Sequence, residues 1–286
     1  VGETRDGVQL TNLDDPLFDG AGATKRDLVD YLDAVRDRIL PVLRNRPLSV
    51  MRVRPGQAPF MQKNTPKYAP DWIATTTVWA QTSHREVAYP LCDGRRTLLW
   101  FANQRSVEFH PTLVEVGAEH PSHLVMDLDP PGDGSFDHVV RAARLVERVL
   151  AELGLAGAVK TSGAKGLHVF VPIATTAFIR DDRHGKVFLD PTRAGGATVV
   201  AAYSPRIRPG VPVSFPVTWA ELDDVTPADF TVHTALERLG DADPWRERMP
   251  DPQPLPADLV AEGRTIPVPR VVAMHEGKRR KRAAGG

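Results

Sequence analysis

The sequence predicts an α+β protein. Three observations carry that prediction: two stretches with helical apolar spacing, strand-like apolar runs on either side of the second, and a glycine-bracketed turn between two such runs. Thr24 is a favoured N-cap residue, and Leu28, Tyr31, Leu32, Val35, Ile39 and Leu40 repeat at helical spacing. A helix is therefore expected from Thr24 to about Leu40, ended by Pro41. Residues 47–72, rich in Pro, Asn, Lys and Gly, read as irregular connecting structure, and residues 73–116 as alternating strand-like and turn-like segments. The second helix is expected over Phe136–Leu153, capped by Ser135 and closed by Gly154. Its buried face would be Phe136, Val139, Val140, Ala143, Val146, Val149, Leu150 and Leu153. Neither an internal repeat nor a hydrophobic heptad is present. From Glu276 the chain is basic, rich in small residues and without an apolar face, which predicts a flexible tail.

At 286 residues and 42% hydrophobic content the chain can bury a full core, as one large domain or two small lobes. Lys plus Arg equals Asp plus Glu at 36 each, so the global basic footprint of a nucleic-acid binder is missing and local distribution must carry any such reading. Basic residues do gather at Arg44, Arg46, Arg52 and Arg54, at Lys63 and Lys67, at Arg95, Arg96 and Arg105, and at Lys278–Arg282. Each cluster alone reads equally well as solvated surface. No run approaches the roughly 18 apolar residues of a membrane span, and the first residues are charged, so neither export nor anchoring is expected. One cysteine, Cys92, cannot form an internal disulfide, which fits a reducing compartment and equally many secreted bacterial enzymes; a cytoplasmic location is the expectation.

The most informative stretch is His123-Leu124-Val125-Met126-Asp127-Leu128-Asp129-Pro130-Pro131. In a strand, Asp127 and Asp129 would share a face with Val125, opposite Leu124, Met126 and Leu128, with their Cα atoms roughly 6 to 7 Å apart. Two carboxylates that close repel, and a divalent cation is their natural partner. An all-oxygen site selects Mg²⁺ or Mn²⁺, which keep positions open for water and phosphate. An Asp-x-Asp-Pro-Pro stretch also serves simply to end a strand before a helix.

The second cluster is Lys160-Thr161-Ser162-Gly163-Ala164-Lys165-Gly166-Leu167-His168, read as strand, tight turn, strand. Ser162, Lys165 and His168 offer a hydroxyl, a cation and an imidazole beside a turn that Gly163 and Gly166 allow, the inventory of a triphosphate cradle. It is not a Walker loop, since the turn joins two strands instead of opening a helix. An ordinary polar hairpin is the alternative.

Together these clusters resemble the archaeo-eukaryotic primase superfamily, and specifically the polymerase domain of bacterial non-homologous end-joining ATP-dependent DNA ligases or a stand-alone relative. The resemblance runs from Leu10-Thr11-Asn12-Leu13-Asp14 and Thr24-Lys25 through Phe60-Met61-Gln62-Lys63-Asn64, Glu108-Phe109-His110-Pro111 and Asp127-Leu128-Asp129-Pro130. It continues in the turn just described, in Gly185-Lys186-Val187-Phe188-Leu189-Asp190, in Tyr203-Ser204-Pro205-Arg206-Ile207-Arg208 and in Val213-Ser214-Phe215-Pro216. Each motif is weak alone; their shared order is specific.

What the resemblance implies is a primase-polymerase fold of packed, mainly antiparallel sheets with flanking helices, one part of it like an RNA-recognition motif. Residues 1–273 would form one catalytic unit of two lobes, followed by a basic tail over 274–286. The implied activity is template-directed primer extension and gap filling with NTPs or dNTPs, ribonucleotides favoured, at double-strand breaks. By the same resemblance Asp127, Asp129 and Asp190 hold two Mn²⁺ or Mg²⁺ ions. Ser162, Lys165 and His168, with His110, Arg193, Arg206 and Arg208, contact the nucleotide. Phe60 stacks on the template, and Lys25, Gln62 and Lys63 contact DNA, the two lysines gripping a 5′-phosphate across a gap. The implied partners are DNA ends, gapped or overhanging, with a separate ligase and an end-binding protein.

The chain departs from the family in three places. Asp15 follows Asn12-Leu13-Asp14 where the family carries lysine, which predicts weaker discrimination for a recessed 5′-phosphate. Met61 replaces the second aromatic of a template-stacking pair. Between Ile173 and Gly185 about a helix's length of chain is missing. Two rival functions remain at this level: a metal-dependent nuclease or phosphodiesterase, which would need a residue to orient water, and a non-catalytic module that bridges DNA ends. A Lys-x-Asp-Gly ligase signature does not occur, so nick sealing is not expected.

Overall fold

Asp6 and Gly7, at φ 47° and 73°, turn the chain between β1 (Glu3–Arg5) and β2 (Val8–Leu10) in the left-handed conformation that short hairpins require. The computed structural model describes residues 3–80, 84–130, 135–174 and 198–265. Thr24 then caps α1 (Lys25–Ala34) in a reciprocal box with Asp27, the Asp27 amide donating to the Thr24 hydroxyl at 3.2 Å and the Thr24 amide to the Asp27 carboxylate at 2.7 Å. The single helix expected to Leu40 is two. At Val35 the backbone leaves helical geometry (φ −90°, ψ 5°) and α2 (Arg36–Leu43) follows at once. Pro41 lies inside α2 instead of ending it. The carbonyl that Pro41 leaves without a donor belongs to Asp37, and both residues are on the exposed side, open to solvent.

The stretch expected to be irregular opens as a hairpin, β3 (Leu48–Arg54) against β4 (Gln57–Gln62), with Pro55-Gly56 as its turn; residues 63–74 carry no helix or strand. A second hairpin, β5 (Thr75–Ala80) and β6 (Arg85–Pro90), is followed by a helix that the periodicity did not reveal, α3 (Arg95–Asn103). Thr97 to Ala102 are all buried, and a continuous run that short reads equally well as a buried strand. β7 (Ser106–Pro111) returns beside β3 to complete an antiparallel sheet of order β4-β3-β7.

The second large sheet holds β8 (His123–Leu128), with α4 (Phe136–Glu152) packed against it, then β9 (Ala158–Thr161), β10 (Leu167–Pro172) and β11 (Pro216–Val217). Its order is β11-β9-β10-β8 and every pairing is antiparallel. Ser135 caps α4 and Gly154 follows it at φ +69°, as the sequence indicated. Val139, Val140, Ala143 and Leu150 are its buried positions, while Val149, expected inside, is half exposed.

α5 (Ala235–Leu239), α6 (Pro244–Arg248) and α7 (Ala257–Thr265) complete the described chain. Tyr31 of α1 donates to the Tyr203 carbonyl at 2.9 Å, and the Tyr203 hydroxyl donates to Asp243, the cap of α6, at 2.6 Å. These buried bonds join the helical layer to the segment that carries Arg206. The expected antiparallel sheets with flanking helices are therefore present. Among the described residues no helix is long and apolar enough to cross a membrane. Asp190, Arg193, most of the shortened stretch after Ile173 and the basic tail of 274–286 lie outside the described residues.

Candidate active site

The antiparallel register of the second sheet sets Asp127 of β8 opposite His168 of β10, and His168 opposite Lys160 of β9. Residues directly opposite in such a ladder share a face, so a carboxylate, an imidazole and an amine stand in one row across three strands. His168 Nε2 lies 3.2 Å from Asp127 Oδ1, and Lys160 Nζ lies 2.7 Å from His168 Nδ1. Lys160 also donates to the Ser214 hydroxyl at 2.6 Å.

The turn joining β9 to β10 is closed by the Ser162 hydroxyl oxygen, which accepts from the amides of Ala164 (3.2 Å) and Gly166 (3.0 Å). With both lone pairs engaged, its O–H remains to donate into the pocket. Glycine is required at both ends of the turn. Gly163 has φ +68°, and a Cβ there would meet Arg206 Cγ at 2.7 Å; a Cβ on Gly166 would run into the Leu128 carbonyl and the Asp129 carboxylate.

A third element arrives from the other sheet. Glu108 of β7 is buried, accepts from the Ile207 amide at 2.9 Å, lies 2.9 Å from His110 Nε2 and holds Arg206 Nε at 3.2 Å. Arg206 in turn donates through Nη1 to the Ser162 carbonyl at 2.6 Å. Burial alone would raise the Glu108 carboxyl, but His110, Arg206 and the Ile207 amide together hold it down at about 2.

One pocket is the result, lined by Asp127, Asp129, Ser162, Lys165, His168, His110, Arg206 and Arg208, with Thr198, Val199 and Val200 on its remaining wall. All of these except the wall of Thr198, Val199 and Val200 were candidates from the sequence. The two carboxylates differ in environment. His168 holds Asp127 below the usual carboxylate range against the opposing effect of burial, while burial, and then the charge of Asp127, push Asp129 up. A cation between them would relieve that repulsion, and two carboxylates, which offer only oxygen ligands, suit a hard divalent ion. Among the described residues no group of three or more metal-ligating side chains forms; the third expected ligand, Asp190, is outside them.

The expected DNA contacts lie apart from this pocket. Phe60 on β4 is covered by the guanidinium groups of Arg54 and Arg52, 4.7 and 5.7 Å from its centroid. Gln62 accepts from Arg52 at 2.7 Å, and Lys63 is exposed just beyond the strand. Lys25 is buried, its ammonium donating to the Thr11 carbonyl (2.5 Å) and Asn103 Oδ1 (2.7 Å). The register adds a further point. Met61 and Glu108 both pair with Met51, so Met61 shares a sheet face with Glu108 and His110, and Phe60 lies on the other face. Sequence reasoning gave no site role to Glu108, Lys160 or Ser214. The Glu108-x-His110 spacing carried a usable signal, since two residues apart on a strand means one face; nothing local links Lys160 to Ser214.

The fold is shared with known proteins. The model of the LigD primase-polymerase domain matches residues 24–180 and 173–245. A bifunctional non-homologous end joining protein LigD of Bacillus subtilis (strain 168) is 32% identical over 264 residues, covering 81% of this chain and 42% of its own length. A multifunctional non-homologous end joining DNA repair protein LigD of Mycobacterium tuberculosis (strain ATCC 25618 / H37Rv) is 29% identical over 335 residues, covering 95% of this chain and 43% of its own. The chain thus spans less than half the length of these relatives. The solved polymerase domain of Mycobacterium tuberculosis Ligase D in complex with DNA superposes with a TM-score of 0.70 at 29% identity, covering 85% of this chain and 97% of that one.

Proposed function

The chain belongs to the LigD primase-polymerase domain family, and from that premise we propose that it extends a DNA primer strand against a template, filling gaps at double-strand breaks during bacterial end joining. The observation that carries the proposal is the single pocket in which two aspartates from β8 and its end face the hydroxyl, amine, imidazole and guanidinium groups of Ser162, Lys165, His168 and Arg206. Carboxylates for metal and donors for phosphate are the two halves of a nucleotidyl-transfer site.

In this reading the nucleotide triphosphate lies along the β9–β10 turn. The Ser162 hydroxyl and the His168 Nε2–H donate to its oxygens, while Lys165, Arg206 and Arg208, with Arg193, offset its charge as pyrophosphate departs. Glu108 holds Arg206 and His110 in place. Asp127, Asp129 and Asp190 would hold two Mn²⁺ or Mg²⁺ ions, which lower the pKa of a bound hydroxyl and neutralise phosphate charge. Positioning and charge compensation then account for catalysis, and no side chain need act as a strong base. Phe60, Gln62 and Lys63 serve the DNA, and Lys25, turned inward to Thr11 and Asn103, would join them only on release.

The remaining assignments follow the same reading. Residues 1–273 work as one catalytic unit; the substrates are gapped or overhanging DNA ends with NTPs or dNTPs, ribonucleotides favoured. A separate ligase and an end-binding protein act with it, in the cytoplasm on the nucleoid. The test is a labelled primer on a templated gap, incubated with Mn²⁺ and each nucleotide in turn beside an Asp127→Ala, Asp129→Ala double variant. Templated addition that vanishes in the variant supports the proposal and reads out the sugar preference. Primer shortening would replace it with a nuclease, and DNA binding without chemistry would replace it with an end-bridging module.

A further inference from the structure

Lys160 is fully buried, and burying an amine is unfavourable unless each hydrogen finds a partner. Here the partners are His168 Nδ1 at 2.7 Å and the Ser214 hydroxyl at 2.6 Å, with the face of Phe170 at 5.5 Å. A leucine or methionine at 160 would pack without that cost, which points to a task for the amine.

We propose that Lys160 is a positioning residue of the pocket, fixing His168 in the tautomer whose Nε2–H points at the anions held there, Asp127 and the incoming triphosphate. The triphosphate half of this statement rests on the function proposed above; the tautomer itself does not.

Hydrogen-bond accounting from both ends of the row leads to the same assignment. At one end, the Ser214 hydroxyl spends its hydrogen on the Thr161 carbonyl at 2.8 Å, so its oxygen accepts from Lys160. At the other, an ionised Asp127 can only accept, so the Nε2 atom 3.2 Å away must carry the hydrogen. A neutral imidazole has one donor and one acceptor, which leaves Nδ1 to accept from Lys160. The contact itself requires a ring that can accept: the buried amine stands 2.7 Å from Nδ1, a separation that an imidazolium facing an ammonium would not keep. The assignment survives either charge state of Lys160. An ammonium has no lone pair to offer Nδ1, and an uncharged amine still has one hydrogen for Ser214 and one for His168.

The row Asp127–His168–Lys160 is also rigid. Each member is fixed by strand register, not by a loop, and the amine is enclosed on all sides. The imidazole is therefore aimed before any ligand arrives, so little reorganisation is needed when an anionic oxygen enters.

The experiment uses the full chain labelled with ¹⁵N at histidine, without metal or nucleotide, at pH 7. Long-range proton–nitrogen correlation distinguishes the two tautomers, and His168 is assigned by the signal that His168→Gln removes. The expected wild-type pattern has the hydrogen on Nε2. Lys160→Met should release the ring to a mixture of tautomers and weaken a non-hydrolysable nucleoside triphosphate about ten- to a hundredfold, with DNA affinity unchanged. Ser214→Ala, which removes one acceptor of Lys160, is the milder variant and should shift the tautomer ratio in the same direction. A hydrogen on Nδ1 in the wild-type protein overturns the proposal whether or not the variants fold. So does an unchanged tautomer with unchanged nucleotide affinity in Lys160→Met, or, should that variant not fold, an unchanged ratio in Ser214→Ala. A wild-type Nε2–H signal in a protein without primer extension would refute the polymerase reading and leave the tautomer assignment standing.

Discussion

Gly166 and Asp129 meet with no room between them: a Cβ on Gly166 would lie 2.5 Å from Asp129 Oδ1 and overlap the Leu128 carbonyl. The obstruction is partly backbone, so it cannot be relieved by a rotamer change alone. Gly166→Ala is expected to move the carboxylate by a fraction of an ångström to an ångström and lower single-nucleotide incorporation by about a hundredfold. Circular dichroism of the variant should stay native; an active Gly166→Ala protein would mean that Asp129 does not need its observed position.

Glu108 anchors both His110 and Arg206 from the neighbouring sheet. Its carboxyl falls from an ordinary 4.5 to about 2 in the folded protein, a preference for the ionised form of about 3 kcal/mol. Because the folded-state value is depressed, this stabilisation is present above about pH 4.5 and is lost as pH falls toward 2. Glu108→Gln should lower urea stability at pH 7 by about 2 to 3 kcal/mol and flatten the loss of stability across that acid window. It should also raise the KM for nucleotide by freeing Arg206.

His123 behaves in the opposite chemical sense with the same sign. Burial, helped by Arg46, lowers it from 6.5 to about 4, so the unfolded chain takes up a proton that the folded one refuses between those values. Stability should fall as pH drops from 6.5 to 4, and buried His168 adds to the same window. The slope of unfolding free energy against pH is expected to correspond to as many as about two protons, and to about one fewer in His123→Phe.

Met61 lies on the sheet face that also carries Glu108 and His110 and is 41% exposed, whereas Phe60 occupies the opposite face against Arg52 and Arg54. An aromatic ring at 61 should therefore gain a base to stack on. Met61→Phe is expected to tighten primer-template binding by about 1 kcal/mol, roughly fivefold, with little sequence preference. Fluorescence anisotropy on gapped duplex measures it, and a loss of affinity would place the template elsewhere.

Asp15 pairs with Arg105 at 2.9 Å, and Lys25 is turned inward to Thr11 and Asn103. Two cations near this surface are thus already partnered. The protein is expected to bind gaps with and without a 5′-phosphate almost equally, and Asp15→Lys should introduce a preference of up to about fivefold at low salt. A strong phosphate preference in the wild-type protein would show that Lys25 is released on binding.

The parts of this molecule that were legible in the sequence are those whose cause is local. α4 declared itself through Ser135, its apolar stripe and Gly154, and the β9–β10 turn through its glycines. α3 was hidden because six consecutive buried residues in a nine-residue helix read equally well as a buried strand. The β3–β4 hairpin was hidden because Pro55-Gly56 reads as a loop in isolation. Family-like motifs named the groups that line the pocket, whereas the long-range contacts behind them carry no local signal. Ser214 is 54 positions from Lys160 and Ile207 is 99 from Glu108, and only folding makes them neighbours.

Arg206 reaches from Glu108 of one sheet to the Ser162 carbonyl beside the other. The pocket is therefore joint property of two halves of the chain, and neither half could be inherited alone with its chemistry. A recombination point between β7 and β8 would separate His110 and Glu108 from both aspartates and leave Arg206 without the carboxylate that holds it. An arrangement shared in this way makes the connection between these strands a poor place for evolution to cut.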